Sequence, residues 1–198
     1  MTARVVVLAS GSGTLMQALV DAGGDDFVIC AVISDRADAV ALDRARNAQV
    51  PAVVVSPGDF TSRAQWNTEL ADAIGGYSPD WIVCAGFMRI LGKDLVDRFS
   101  GRIVNSHPAL LPAFAGAHAV SDALTYGVAV SGCTIHLVDA GVDTGPIIAQ
   151  EPVIVLPDDD EASLHERIKV VERQLLLRIV RDLSQWGCTV TGRKVSIP

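Results

Sequence analysis

The sequence predicts an α/β fold: an open twisted sheet, mostly parallel in the N-terminal half, with antiparallel strands in the C-terminal half and helices on both faces. Three observations carry this reading. Unbroken apolar runs at residues 5–9, 27–34 and 81–85 alternate with segments of helical spacing, the pattern of parallel strands covered on both faces. A glycine-rich turn, Ser10-Gly11-Ser12-Gly13, links the first run to the first helical segment. Residues 128–138 instead alternate in character, as an antiparallel strand does.

Composition narrows the function classes. The 198 residues suit one α/β domain, and 49% hydrophobic content supplies a substantial core. A net charge of -7 argues against non-specific binding to nucleic acid or to an anionic membrane. It leaves room for a local basic pocket. No apolar run reaches the ~18 residues of a membrane span, and the N-terminus lacks a signal peptide's cleavage region, so a cytoplasmic protein is expected. Cys30, Cys84, Cys133 and Cys188 stand singly, with no CxxC pair, which reads as reduced thiols and not as a zinc site.

The elements follow in order. After Val5-Val6-Val7-Leu8-Ala9 comes a turn whose glycines let the backbone approach a ligand, then a helix with Leu15, Leu19 and Ala22 inward. There is neither a GxGxxG nor a GK[ST], so a P-loop is excluded. Such a turn serves either as a tight connection or as a phosphate cradle; its place at the first strand's carboxyl end favours the second. Residues 27–34 form the second strand and 37–49 a helix with Ala41, Leu42 and Ala45 inward. Asp35 between them is either a ribose-binding acid or a strand-end charge. Residues 52–55 form the third strand, 56–59 a loop, and 61–75 a helix bearing Arg63 in its first turn and Trp66 and Leu70 inward. The fourth strand, 81–85, runs into Gly86-Phe87-Met88-Arg89-Ile90-Leu91. Arg89 in that apolar loop is either a structural ion-pair partner or a ligand contact. A short helix, 95–99, precedes the fifth strand from Arg102.

That strand leads into Asn105-Ser106-His107-Pro108-Ala109-Leu110-Leu111-Pro112. Residues i and i+2 of an extended chain share a face, so Asn105 and His107 put a carboxamide and an imidazole side by side. Pro108 and Pro112 stop the strand from continuing, and the residues between them anchor the loop in the core. A helix at 118–126, with His118 at its start, and the strand at 128–138, with Cys133 and His136, come next. His136 is either a satisfied core histidine or a group reaching the active cleft. The turn Asp139-Ala140-Gly141-Val142-Asp143-Thr144-Gly145-Pro146 lacks the ligand count of an EF-hand loop. A strand at 147–155 and an acidic turn at 157–160 precede a long helix, 162–186. Its apolar stripe is Leu164, Ile168, Val171, Leu175 and Ile179. Glu172 borders the stripe and points either to a cleft or to solvent. The tail, 189–197, is expected to add a short strand pair.

Taken together, Gly11-Ser12-Gly13-Thr14, the Met88-Arg89-Ile90-Leu91 loop, Asn-x-His-Pro-x-Leu-Leu-Pro and the downstream Asp143-Thr144-Gly145-Pro146 resemble the 10-formyltetrahydrofolate-dependent formyltransferase family. The resemblance covers essentially the whole chain, and the Asn-x-His-Pro motif with Asp-x-Gly-Pro is its specific part. It implies a Rossmann-like single domain, with 1–100 as a phosphate-binding half and 101–198 as a catalytic and folate-binding half. It implies formyl transfer from 10-formyltetrahydrofolate, a reduced-folate cosubstrate, to the amine of glycinamide ribonucleotide, with no metal, and a homodimer. By resemblance Asn105, His107 and Asp143 are catalytic. Gly11, Ser12, Gly13, Thr14 and Leu15 would cradle the acceptor's phosphate, and Glu172 would contact its ribose. Arg63, Met88, Arg89, Ile90, Leu91, Val96, Asn105, Asp139, Ala140 and Val142 would hold the folate. Two positions depart from the family pattern: Thr14-Leu15 stands where Ser-Asn is common, so phosphate contact at Leu15 must come from backbone N–H, and Ala115 replaces a proline before Gly116.

The mechanism expected from this set has the amine attacking the formyl carbon while Asn105 and a protonated His107 donate to the developing oxyanion, with Asp143 raising the His107 pKa. Rival readings are a formyltetrahydrofolate hydrolase, a methionyl-tRNA formyltransferase and a non-catalytic nucleotide-binding module. The hydrolase commonly carries an N-terminal regulatory domain, and here the first strand begins at Arg4. The tRNA enzyme would need a C-terminal RNA-binding domain and a basic surface. A nucleotide-binding module, or a dehydrogenase, would leave the Asn-His-Asp set unexplained.

Overall fold

A computed structural model describes all residues from Met1 to Pro198. The chain divides into two compact units, Met1–Val104 and Asn105–Pro198.

In the first unit the strands lie in the order β3-β2-β1-β4, all parallel. They are β1 (Ala3–Leu8), β2 (Phe27–Ser34), β3 (Ala52–Val54) and β4 (Trp81–Cys84). Val5, Val6, Val7, Leu8 and Ala9 are fully buried, which explains why β1 carries no polar alternation. Helices α1 (Thr14–Asp21), α2 (Val40–Asn47), α3 (Arg63–Gly75) and α4 (Lys93–Arg98) occupy the connections. Helix α2 starts three residues later than periodicity suggests, and its buried residues are the expected Ala41, Leu42 and Ala45. In α1 the buried residues are Met16 and Leu19, and Leu15 is half-buried. Helix α3 begins where Ser62 accepts a hydrogen bond from the Gln65 N–H. The buried Trp66 indole N–H is satisfied by the Val55 carbonyl at 2.8 Å.

Strand β5 (Ile103–His107) ends in the second unit, where the strand order is β5-β6-β7. Strands β6 (Val130–Leu137) and β7 (Ile147–Ile154) pair antiparallel, as the alternation predicts. Helix α5 (Ala119–Tyr126) has His118 at its N-cap position, without a side-chain cap bond. The long α6 (Glu161–Trp186) packs on β6 and β7. Asp160 and Ser163 close a reciprocal capping box at its start. Its buried stripe is Leu164, Ile168, Glu172, Leu175, Leu176, Ile179, Val180 and Leu183. Glu172, not Val171, therefore takes the inward position. Strands β8 (Thr189–Thr191) and β9 (Lys194–Ser196) form a hairpin that touches β7. No helix is long and apolar enough to cross a membrane. All four cysteines are free thiols; Cys84 and Cys133 are buried, and Cys30 and Cys188 half-buried.

Candidate active site

The Asn-His pair sits on the last residues of β5. Asn105 and His107 share one face, and Ser106 between them turns to the other, as strand alternation requires. The loop that follows is fastened from β6. Thr134, fully buried, donates its hydroxyl to the Ala109 carbonyl at 2.6 Å and accepts the Leu111 N–H at 3.0 Å. Gln150 on β7 adds an amide hydrogen bond to the Leu111 carbonyl, 2.8 Å, and one to the Thr134 hydroxyl, 3.0 Å. Ala109 and Leu111 are buried and Leu110 half-buried, so the loop is anchored by both polar and apolar contacts.

Both nitrogens of the buried His107 ring have a partner. Nε2 lies 2.9 Å from the Phe114 carbonyl, which can only accept, so Nε2 carries a hydrogen. Nδ1 lies 3.3 Å from Asp143 Oδ2. The same carboxylate oxygen accepts the Gly116 N–H at 2.8 Å. Phe114 and Asp143 are both non-glycine residues with left-handed backbone, φ 55° and 53°. His107 is thus held between two residues in a costly conformation, a local strain typical of functional sites.

His136 completes the group. Its Nδ1 lies 2.9 Å from the Leu137 carbonyl, so in the neutral ring Nδ1 carries the hydrogen and Nε2 accepts. Asn105 Nδ2 lies 3.1 Å from that Nε2 and 3.5 Å from Asp143 Oδ1. The carboxylate on one side and the bare Nε2 on the other orient the amide with its NH₂ group toward both. His136 Nε2 itself lies 3.5 Å from Asp143 Oδ1. Sequence alone left this histidine between two readings; the structure sets it against Asn105 and Asp143.

Electrostatics refine the expected roles. A hydrogen bond with His136 outweighs burial, the next effect, and together with the Gly116 N–H and the charge of His107 it holds the Asp143 carboxyl below the ordinary range. For His107, burial pushes the imidazole below its ordinary pKa and outweighs the opposing attraction of Asp143 and the Phe114 carbonyl. Asp143 favours the charged ring, as expected, but desolvation outweighs it, so the net shift runs opposite to the one expected. The resting ring is neutral near pH 7 with a bare Nδ1 facing a carboxylate. A proton arriving at Nδ1 is immediately paired with Asp143.

The turn carrying Asp143 is tied internally. Asp139 Oδ1 accepts the Gly141 N–H at 3.0 Å and the Thr144 hydroxyl at 2.6 Å. Arg193, from the β8–β9 hairpin, donates to the Thr144 carbonyl at 2.9 Å. Ala140 and Val142 are exposed on this turn and Asp139 is half-buried. A Cβ at Gly145 would lie 1.7 Å from the Leu137 carbonyl oxygen, so only glycine fits there.

On the other face of β5, Ser106 donates its hydroxyl to Glu172 Oε1 on α6 in a short hydrogen bond. Both residues are 8% exposed. Burial raises the Glu172 carboxyl above its ordinary pKa, partly offset by the Ser106 hydroxyl, Lys169 and Arg173. The solvent-facing reading of Glu172 is thereby excluded. Ser106 was not singled out by sequence; its one legible signal was a polar residue at an inward strand position.

The first unit holds the residues expected at the phosphate and, of those expected at the folate, Arg63, Met88, Arg89, Ile90, Leu91 and Val96. Gly13 is the N-cap of α1, with φ 69°, and a Cβ there would meet Ala41 at 2.7 Å. Helix α2 clamps this turn: Ala41 N–H donates to the Gly11 carbonyl and Arg44 Nε to the Ser12 carbonyl. Gly11, Ser12 and Thr14 are exposed, and the first-turn N–H groups of α1, including those of Thr14 and Leu15, have no intrahelical acceptor. Asp35 is buried and accepts from Ser10 Oγ at 2.6 Å and Arg89 Nε at 2.7 Å, so it serves as an ion-pair partner. The Arg89 side chain is still half exposed. Ser10 Oγ also accepts the Met88 N–H, which fixes the start of the 88–91 loop. Arg63 donates to the Ile90 carbonyl at 2.9 Å and lines an open cleft of about 370 Å³ with Asn67, Lys93, Asp94 and Arg98. Met88 and Ile90 are exposed, whereas Leu91 and Val96 are buried. No three His, Cys, Asp or Glu side chains are grouped to hold a metal ion.

Comparison with known proteins adds four findings. The family model described as Formyl transferase matches residues 3–180. A phosphoribosylglycinamide formyltransferase of Mycobacterium tuberculosis is 52% identical over 197 residues, spanning 98% of this chain and 91% of that protein. Glycinamide ribonucleotide transformylase 1 from Symbiobacterium toebii superposes with a TM-score of 0.95 at 41% identity, covering 99% of this chain and 94% of that one. Its counterpart from Geobacillus kaustophilus gives 0.88 at 43% identity, covering 92% and 99%.

Proposed function

Because the chain belongs to the formyl transferase family, we propose that it transfers a formyl group from 10-formyltetrahydrofolate to the amine of glycinamide ribonucleotide, the step named in its relatives and part of purine biosynthesis. The observation that supports this reading most is the convergence of the Asn105 amide and His107 Nδ1 on the two oxygens of one carboxylate, that of Asp143. In the reaction a bond forms between the amine nitrogen and the formyl carbon, and the bond from that carbon to folate N10 breaks. The amine loses a proton and N10 gains one. A neutral His107 takes the proton at Nδ1 and is steadied as imidazolium by Asp143, then returns it to the leaving nitrogen. One Asn105 N–H leaves its long contact with Asp143 Oδ1 and donates to the oxyanion that develops on the formyl oxygen.

The first-turn N–H groups of α1 after Gly11-Ser12-Gly13, those of Thr14 and Leu15, are assigned to the acceptor's phosphate, a role suited to backbone donors at a helix N-terminus. Glu172 is assigned to the ribose. Arg63, the 88–91 loop, Val96 and the turn with Asp139, Ala140 and Val142 are assigned to the folate. Residues 1–100 supply the phosphate-binding half and 101–198 the catalytic half. A homodimer and a cytoplasmic location are part of the same reading; four unpaired thiols fit a reducing compartment.

The test is steady-state formyl transfer with and without glycinamide ribonucleotide. Turnover should require the amine, and Asn105→Ala and His107→Ala should each lower kcat by roughly 10²–10³-fold. Folate hydrolysis independent of the amine, or near wild-type kcat in both variants, overturns the assignment.

A further inference from the structure

Glu172 is a buried carboxylate with a single side-chain hydrogen bond, from Ser106 Oγ to Oε1. Its other oxygen is not among the buried side-chain atoms left without a partner, which are Ser131 Oγ and Ser184 Oγ, so it keeps access to solvent. A carboxylate has roughly four acceptor positions. Nearby groups are Lys169 and Arg173 on α6 itself and the Cys133 thiol on β6. The open oxygen suits a ligand that brings hydroxyl donors.

Resting on the function proposed above, we propose that Ser106 is the positioning residue for Glu172, holding one carboxylate oxygen so that the other is presented to the ribose hydroxyls of the acceptor. Ser106 stands between Asn105 and His107 in sequence, yet points to the opposite face of β5. One strand thus serves chemistry on one side and acceptor affinity on the other. Without its hydroxyl donor, the Glu172 side chain loses its fixed rotamer, and its carboxyl is pushed further toward the protonated form.

The experiment measures KM for glycinamide ribonucleotide and kcat in Ser106→Ala, with Ser106→Thr as the variant that keeps the hydroxyl. Ser106→Ala should raise KM about tenfold, the size of one charge-assisted hydrogen bond, with kcat within about twofold. Ser106→Thr should restore KM. If Ser106→Ala does not fold, Ser106→Thr against Ser106→Val makes the same comparison at matched shape. An unchanged KM, or a loss confined to kcat, overturns the role of Ser106. Absence of acceptor-dependent transfer by the wild-type protein overturns the function and this inference together; wild-type transfer with equal KM in the variants overturns this inference alone.

Discussion

His107 carries the balance of forces in this site. Two acceptors flank it, the Phe114 carbonyl and the Asp143 carboxylate, and both favour a charged ring. Burial opposes them and prevails. Removing the carboxylate charge must therefore move the His107 pKa further down. Asp143→Asn is the clean probe, because asparagine tolerates the left-handed backbone at that position. The expected outcome is a His107 titration midpoint at lower pH, read by NMR, with the acid limb of the kcat profile shifted the same way. An unmoved midpoint would show that Asp143 does not act on the ring. Asn105 and His107 were legible at this scale, since i and i+2 on a strand must share a face. Ser106 and His136 were not, because their importance comes from α6 and from the meeting of Asn105 with β6, which no local spacing encodes.

Among the elements, β6 governs the site without supplying the residues first noticed. Thr134 links the Ala109 carbonyl, the Leu111 N–H and the Gln150 amide through one hydroxyl. Thr134→Val keeps the shape and removes these bonds, leaving the buried Leu111 N–H without a partner. We expect a loss of roughly 2–3 kcal/mol in urea-unfolding stability, since stranded buried polar groups cost more than the bonds themselves return. A lower kcat should accompany it, because the same hydroxyl fixes the chain just past His107. A stability loss under about 0.5 kcal/mol, typical of a neutral surface change, would contradict this. Helix α6 illustrates what element-level patterns miss. A hydrophobic stripe drawn from residue type selects Val171, but the geometric stripe passes through Glu172. Periodicity locates the face correctly; polarity disguises the member of it that matters. The delayed start of α2 has a related origin: residues 37–39 have acceptable helix propensity but connect a strand end held by Asp35 and Ser34.

For the whole molecule, two buried groups pull stability against pH in opposite directions. The folded His107 pKa is lowered. On acidification below the unfolded value of 6.5, the unfolded chain takes up its proton first and stability falls. The folded Glu172 pKa is raised. Its contribution is fully present below the unfolded value of 4.5 and is lost as pH rises through the folded pKa. Glu172→Gln should therefore be more stable than wild type at pH 7, by about 1 kcal/mol or 2–4 °C in Tm for a chain of this size. The difference should close near pH 4, where the carboxyl is protonated in both states. A gap independent of pH in calorimetric scans would mean that packing, not charge, separates the two. At this scale the sequence was most informative. Continuous apolar runs announced the buried parallel strands, and the alternating residues 128–138 announced an antiparallel β6. Burial on two faces is recorded directly by residue type in β1; β6 is buried almost throughout as well, and its polar members Ser131, Thr134 and His136 are what gave it an alternating look. The partners of each buried polar group depend on contacts far apart in the chain, and those stay hidden until the fold is known.

The left-handed residues beside His107 also shape which sequences this site can accept. An αL conformation is cheap for glycine and asparagine but costs most residues about 1–2 kcal/mol. Phe114 bears that cost while its ring packs edge-on against Tyr126, centroids 5.9 Å apart. Glycine at 114 would relieve the backbone, yet it would also free the peptide to swing its carbonyl away from His107 Nε2. Mutational tolerance at position 114 is therefore divided: variants enriched for folding alone and variants enriched for turnover should not be the same set.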